Sequence, residues 1–174
     1  VKMTRLFSQA GHPSFEICQP GTPIEKALNE SGLQARPLKV RDYLDIRSSR
    51  QIRAWIRDHA VRAVFLHSMR DIWLAAPALW RLPDVKLIGF ARMFFKDVRK
   101  RDPLHRLMYG RLDHMIALSH IQKGYLLKCL PVPEEKYVVI PNGVDVERFQ
   151  PRGRNRKLRA EWGFTDEHFV YGLI

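Results

Sequence analysis

The apolar run RAVFLHS closes on two polar residues, His67 and Ser68. A histidine at the end of a buried strand can hold a hydroxyl or a phosphate, or it can be satisfied by neighbouring backbone. A second run, GFARMFF, puts Arg92 just past its apolar part, and an arginine there suits a bidentate grip on an anionic group. The densest basic stretch is FFKDVRKRDPLHR, which gathers Lys96, Arg99, Lys100, Arg101, His105 and Arg106 around two aspartates. Phosphate or carboxylate recognition needs such a cluster, and so does docking on anionic lipid headgroups, at ~1 kcal/mol per basic residue near the surface. A solvated loop with weak local ion pairs has the same composition. Asp102 before Pro103 also fits the start of a helix, as N-cap and first helical residue.

Chemistry at these positions needs a frame, and the chain alternates strand and helix patterns. VKMTRLFSQAGH reads as an amphipathic helix stopped at Gly11, and SFEICQ as a short strand. TPIEKALNESG has Thr22 as N-cap, Pro23 at the first helical position, Glu25 at the third and Gly32 as terminator. ARPLKV is strand-like, and Pro37 assigns it to an edge. Ile52, Trp55 and Ile56 recur at helical spacing, whereas RAVFLHS and VKLIGFA are continuous apolar runs of the kind covered on both faces. DIWLAAPALWRL is a helix expected to kink or break at Pro77. DPLHRLMYGRL and IQKGYLLKCL read as further helices, HMIALS and KYVVI as further strands.

This order predicts an α/β fold: a Rossmann-like parallel sheet with helices on both faces. Ligands of such sheets gather at the carboxyl ends of the strands, where loops and helix N-termini converge. The positions to inspect are therefore Pro20-Gly21-Thr22, His67-Ser68, Arg92-Met93, Ser119-His120 and Pro141-Asn142-Gly143. Beyond them QPRGRNRKLR has the composition of a linker, RKLRAEWGF that of a short helix with a glycine stop, and HFVYGLI that of the start of another strand.

At 174 residues the chain is long enough for one domain with a real core. Its formal net charge of +12 calls for an anionic partner (nucleic acid, a phosphate-bearing ligand or an acidic membrane surface) unless it marks only a solvated basic exterior. Cys18 and Cys129 have no metal-ligand spacing, no Asp-x-Asp pair occurs, and no metal is expected. No apolar run reaches about 18 residues and the N-terminus lacks the apolar centre of a signal peptide, so a cytoplasmic protein is expected.

HMIALSHIQKGYLLKCLPVPEEKYVVIPNGVDVERFQP resembles the end of the N-terminal domain of glycosyltransferase family 4: a Ser-ending strand, a helix, a variable stretch, then a strand closed by Pro-Asn-Gly-Val-Asp and Phe-x-Pro. SQAGHPSFEIC, GTPIEKALNESGLQARPL and RAVFLHS fit the looser upstream pattern. The resemblance implies the N-terminal, acceptor-side half of a two-domain GT-B fold without its first strand. Residues 1–150 would form that domain, and 151–174 the linker and first elements of a donor-binding domain. KRDPLHRLMYGRLD resembles a segment of members that build lipopolysaccharide and related envelope glycans.

The implied reaction is retaining transfer of a sugar from a nucleotide-sugar donor to a glycan or lipid-linked acceptor. It requires no resident cofactor, and this stretch is expected to be inactive by itself. Candidate acceptor contacts are Gly21, Thr22, His67, Ser68, Arg92, Lys96, Lys100 and His105. Ser119, Pro141, Asn142, Gly143 and Asp145 would border the interdomain cleft or hinge, with Asn142-Gly143 supplying residues that tolerate left-handed backbone angles. Family members commonly carry a histidine near the Arg92–Met93 slot; its absence here removes the basis for carrying over that role.

A missing central strand would leave two unpaired strand edges, between Ser14–Gln19 and Arg62–His67, and the apolar FVYGLI tail is a candidate to fill the gap. Trp55, Trp73 and Trp80 read as core packing ahead of sugar stacking. An anionic membrane surface is an expected partner, through peripheral contact on the inner face of the cytoplasmic membrane. A nucleic-acid-binding α/β domain and a non-catalytic interaction module are the alternatives. Nucleic acid is not the expected partner, because the basic residues are spread over several helices rather than interleaved with aromatics on one strand face.

Overall fold

The computed structural model describes residues 1–42, 44–92 and 99–172, and over that span helices and strands alternate. Helix α1 (Lys2–Gln9) leads to β1 (Phe15–Cys18), α2 (Pro23–Glu30) to β2 (Gln34–Pro37), and α3 (Ile46–Asp58) to β3 (Ala63–Leu66). Then α4 (Ile72–Leu79) leads to β4 (Lys86–Ala91), α5 (Pro103–Gly110) to β5 (His114–Ala117), and α6 (His120–Cys129) to β6 (Tyr137–Val139). A short α7 (Arg156–Glu161) follows. Val1–Pro141 and Asn142–Ile174 are two separate compact units.

The local signals explain where the helices begin. Thr22, Asp45, Asp102, Ser119 and Asn155 each accept a hydrogen bond from the backbone N–H three residues on, satisfying a donor that the helix itself cannot. Glycines in left-handed conformation follow α1, α2 and α7, at φ 81° for Gly11, 66° for Gly32 and 73° for Gly163. After α3 the same position is filled by Ala60 at φ 48°, and Val61 N–H closes the cap on Ile56 O at 2.9 Å.

Every strand pairing is parallel, as the alternation predicts, but the described strands form two sheets rather than one. β1 pairs with β2, and β3, β4, β5 and β6 lie side by side in chain order. The edges of β1 and β3 that the resemblance places beside a central strand share no ladder with each other. Side chains join the two parts instead. Phe7 of α1 lies on Phe65 of β3 with ring centres 5.3 Å apart. Arg36 of β2 stacks over Phe15 and places Nη2 2.8 Å from His59 Nε2 at the end of α3. A guanidinium only donates, so Nε2 accepts and Nδ1 carries the hydrogen shared with Trp55 O at 3.0 Å.

The core lies against the larger sheet. Leu87 and Met115 are fully buried in one cluster with Ile72, Leu79 and Leu126 from the helices and Leu112 from the turn after α5. Gly89 on β4 keeps this packing close, because a Cβ there would sit 3.0 Å from Met115 Sδ and 3.2 Å from Met69 Sδ. Trp55 and Trp73 pack against this core as expected, but Trp80 is 48% exposed.

Several cations of the basic sequence are committed to the framework. Arg53 donates to Ala78 O and Pro77 O at 2.8 and 2.5 Å. Arg111 donates to Leu79, Leu82 and Val85 carbonyls and to Asp113. Lys136 donates to the Gly110 and Leu112 carbonyls, and Arg101 to Leu127 O. These groups satisfy carbonyls in and just beyond the last turns of α4, α5 and α6, where backbone acceptors lack helical partners and cations are favoured.

Three local expectations fail. Helix α4 runs through Pro77 without the expected interruption, and Arg53 donates to the carbonyls of Pro77 and Ala78 in its last turn. Neither Asn142 nor Gly143 takes a positive φ, so that turn is made without left-handed angles. Among the described residues the tail Phe169–Gly172, expected to begin a strand, belongs to none. Within it Phe169 is 92% and Tyr171 84% exposed, without the burial that would stabilise a ladder.

Candidate functional site

The carboxyl ends of β1, β2 and β3 lead to residues that line one hollow of about 410 Å³. Gln19 comes from the end of β1, Val40, Arg41 and Asp42 from the segment after β2, and Ser68, Arg70, Asp71 and Leu74 from the turn after β3 and the start of α4. The lining therefore mixes two guanidinium groups, two carboxylates, a hydroxyl and an amide over a small apolar base. Such a surface suits a polyhydroxylated ligand with an anionic group better than an apolar one.

The turn after β3 builds one wall. Ser68 Oγ accepts from Arg70 N–H at 3.3 Å, and Ser68 O from Asp71 N–H at 3.1 Å, which folds Met69–Asp71 into a single 3₁₀ turn and feeds α4. Asp71 keeps an exposed edge but has protein around most of its carboxyl, and this desolvation raises its pKa above the ordinary value.

His67 is half-buried at the head of the same turn. Burial lowers its pKa, and the charge of Arg92 beyond β4 pushes in the same direction, while Glu16 of β1 opposes them. A neutral imidazole results, able to donate to one hydroxyl and accept from another. Glu16 is itself disfavoured as an anion by burial, which a hydrogen bond from Thr4 Oγ1 at 2.7 Å opposes. Arg92 lies over the Phe90 ring at 5.5 Å.

The expected site residues separate into groups. His67, Ser68 and Arg92 come together at the ends of β3 and β4, and only Ser68 lines the hollow. Gly21 and Thr22 do follow β1, but their polar groups cap α2: Gly21 N–H donates to Glu25 Oε2 at 2.6 Å, and Thr22 Oγ1 bridges Gln19 O and Glu25 N–H. Gly21 holds φ 73°, which a side chain would strain. Lys96 falls outside the described residues.

Lys100 is bound through its backbone N–H to Cys129 O at the end of α6, and it does not line the hollow. His105 Nδ1 pairs with Asp102 Oδ2 at 2.5 Å, its ring edge-on to Trp73 at 5.1 Å and 6.2 Å from Tyr109. The backbone N–H of His105, and then its ring, hold the Asp102 carboxyl below the ordinary range. Ser119 caps α6 through Gln122 N–H at 3.1 Å, while the buried Gln122 side chain accepts from Leu118 N–H at 2.6 Å.

Pro141 ends the first unit, and Asn142, Gly143 and Asp145 belong to the second. There Asp145 closes its own turn, accepting from Arg148 N–H at 3.1 Å and Phe149 N–H at 2.9 Å.

Sequence reasoning missed Gln19, Arg41, Asp42, Arg70 and Asp71. Gln19 and Arg70–Asp71 adjoin positions already singled out after strands, and a wider window there would have included them. Arg41 and Asp42 carried no signal, because the segment after β2 is irregular. Among the described residues no three His, Cys, Asp or Glu side chains stand together as a metal site, and no helix is long and apolar enough to cross a membrane.

Parallel strands flanked by helices, with polar loops converging at the strands' carboxyl ends, form a Rossmann-like domain of the kind that makes one half of a GT-B fold. The Glycosyltransferase Family 4 model matches residues 2–148, and the chain belongs to that family. It is 26% identical over 186 aligned positions to a D-inositol 3-phosphate glycosyltransferase of Segniliparus rotundus, covering 98% of this chain and 40% of the relative. A glycosyltransferase structure from Rickettsia africae superposes with a TM-score of 0.74 at 19% identity, over 95% of this chain and 45% of that one. Anabaena Alr3699/HepE, solved in complex with UDP and glucose, gives a TM-score of 0.61 at 12% identity, over 86% and 42% of the two chains. The chain thus spans less than half the length of each of these relatives.

Proposed function

We propose that the parent protein transfers a sugar from a nucleotide-sugar donor to a hydroxyl of an envelope glycan or lipid-linked acceptor, with retention at the anomeric carbon, and that the hollow beside His67 holds the acceptor. The observation that carries this reading is the convergence of Gln19, Arg41, Asp42, Ser68, Arg70 and Asp71 at one rim, next to a neutral His67. Retaining transfer requires an acceptor hydroxyl oriented within reach of the anomeric carbon while cations and N–H groups stabilise the leaving diphosphate. The rim groups supply orientation: Ser68 and His67 can bond hydroxyls, and Arg41 and Arg92 can hold an anionic substituent. In this reading residues 1–150 are the acceptor-side domain, residues 151–174 lead into a donor-binding domain that supplies the diphosphate contacts, and the enzyme works in the cytoplasm. The S. rotundus relative acts, by its name, on an inositol phosphate, which is a polyhydroxylated anion of the class this hollow suits.

The test has two arms. The 174-residue chain should turn over no nucleotide sugar, yet glycosyl phosphates should shift the NMR signals of His67 and Ser68, and Arg41→Ala with Ser68→Ala should weaken that binding at least tenfold. The complete parent protein should transfer sugar with an unchanged anomeric configuration, read by proton NMR of the product. Inversion, or sugar phosphates that perturb other surfaces only, would overturn the reading.

A further inference from the structure

We propose that the outer face of α5 and the basic segment leading into it form a docking surface for an anionic lipid bilayer. This inference is separate from the acceptor hollow and does not depend on which sugar is transferred.

Helix α5 turns Met108 and Tyr109 into the core, at 3% and 1% exposure, and leaves Leu104 and Leu107 on the other side at 45% and 55%. Two leucines at i and i+3 on one exposed helix face are an apolar stripe without a protein partner among the described residues. Arg106 is exposed on the same helix, and Arg99, Lys100 and Arg101 precede it. From 99 to 107 the single carboxylate is Asp102, and both its oxygens are turned onto His105. Lys128, in the last turn of α6, adds another exposed cation beside Cys129, whose carbonyl anchors the Lys100 backbone at 2.9 Å.

Two of these cations border a depression. Arg101 donates to Leu127 O at 2.6 Å, and together with Arg106 it flanks a hollow of about 400 Å³ whose floor is Leu130, Pro131 and Val132. An apolar floor between two guanidinium groups, beside two exposed leucines, matches a ligand that is anionic at one end and apolar at the other. A surface of anionic phospholipid has that chemistry: phosphates meet the arginines while Leu104 and Leu107 enter the headgroup boundary. The framework cations Arg53, Arg111 and Lys136 lie outside this cluster, and of its members Arg101 also gives one N–H to a framework carbonyl, so the local cluster, rather than the total charge of the chain, identifies the surface.

Vesicle co-sedimentation of the 174-residue chain tests the proposal. Phosphatidylcholine vesicles containing about 30% phosphatidylglycerol should bind the chain, pure phosphatidylcholine should not, and raising salt should release it. Arg101→Ala with Arg106→Ala should lower partitioning roughly 25-fold, about fivefold for each cation lost. Arg101 also caps α6, so Arg106→Glu serves as a charge variant that leaves that cap in place. Leu104→Ser with Leu107→Ser, which leaves the net charge unchanged, should lower partitioning about tenfold or more while thermal melting stays cooperative. Equal binding to both vesicle types, or variants that bind like the parent chain, would overturn the proposal. So would competition by free glycerol phosphate, which would indicate a small-phosphate site. Retention on single-stranded DNA that the leucine variant leaves unchanged, without vesicle binding, would assign the cluster to nucleic acid and also overturn it.

Discussion

The β3–β6 sheet and the β1–β2 pair have the same parallel geometry and opposite burial. Residues Leu87, Gly89 and Ala91 of β4 and Met115, Ile116 and Ala117 of β5 are buried, whereas in β1 and β2 no residue is, and Ile17 is 37% exposed. The larger sheet is fixed by apolar packing. The pair is fixed by a few specific contacts, chiefly Phe7 on Phe65, Arg36 on His59 and Phe15, and the buried Leu28 and Leu38 beside it. The candidate hollow draws its lining from both, so its geometry depends on the weaker half staying in register with the stronger one. Regions of low burial are where local opening concentrates, and binding surfaces are often built there.

The contrast is tested most strongly by core truncation. Leu87→Ala or Met115→Ala should cost roughly 2–5 kcal/mol in denaturant unfolding, while Ile17→Ala should cost about 1 kcal/mol or less. Equal costs would show that the two sheets are one cooperative core. Arg111→Ala should come next, at about 3 kcal/mol, because it removes a largely buried guanidinium that donates to the Leu79, Leu82 and Val85 carbonyls and to Asp113 at once. Ser119→Ala, which uncaps α6, should cost about 1 kcal/mol. Ala60→Gly should instead stabilise by up to about 1 kcal/mol, since only glycine adopts φ 48° without a Cβ penalty.

The pH dependence sharpens the same comparison at the seam between the halves. His67 has a lowered pKa in the folded chain, so between its ordinary value and that lower value the unfolded chain binds more protons. Stability should therefore fall as pH drops below about 6.5, the ordinary histidine value, and His67→Gln should flatten that part of the profile. An unchanged slope in the variant would remove His67 from the seam. Asp71 works in the other sense: its raised carboxyl means that ionisation opposes folding, and Asp71→Asn should raise the melting temperature slightly at neutral pH.

Much of the fold was legible from residues acting locally. Thr22, Asp102 and Ser119 mark helix starts because their side chains replace backbone partners within three positions, and Gly11, Gly32 and Gly163 mark stops because φ is a property of one residue. Pro77 misled as an interruption because α4 carries one proline without losing its helical path, and Arg53, more than twenty positions earlier, ties down the carbonyls of its last turn. Gly21 and Thr22 misled as ligand contacts because the same polar atoms also make a cap. Arg41 and Asp42 could not have been found, since nothing in an irregular segment says which loops will meet it.

The sequence by itself determined the element order, the helix boundaries, the parallel α/β class and the family, because each rests on short-range patterning or on motifs read in line. Tertiary structure decided that the strands form two sheets and which cations serve helix carbonyls. It also decided that His67 is held neutral beside Arg92 and that Arg41 and Asp42 face Ser68. Those outcomes depend on desolvation and on contacts between residues far apart in the chain, and neither has a counterpart in local spacing.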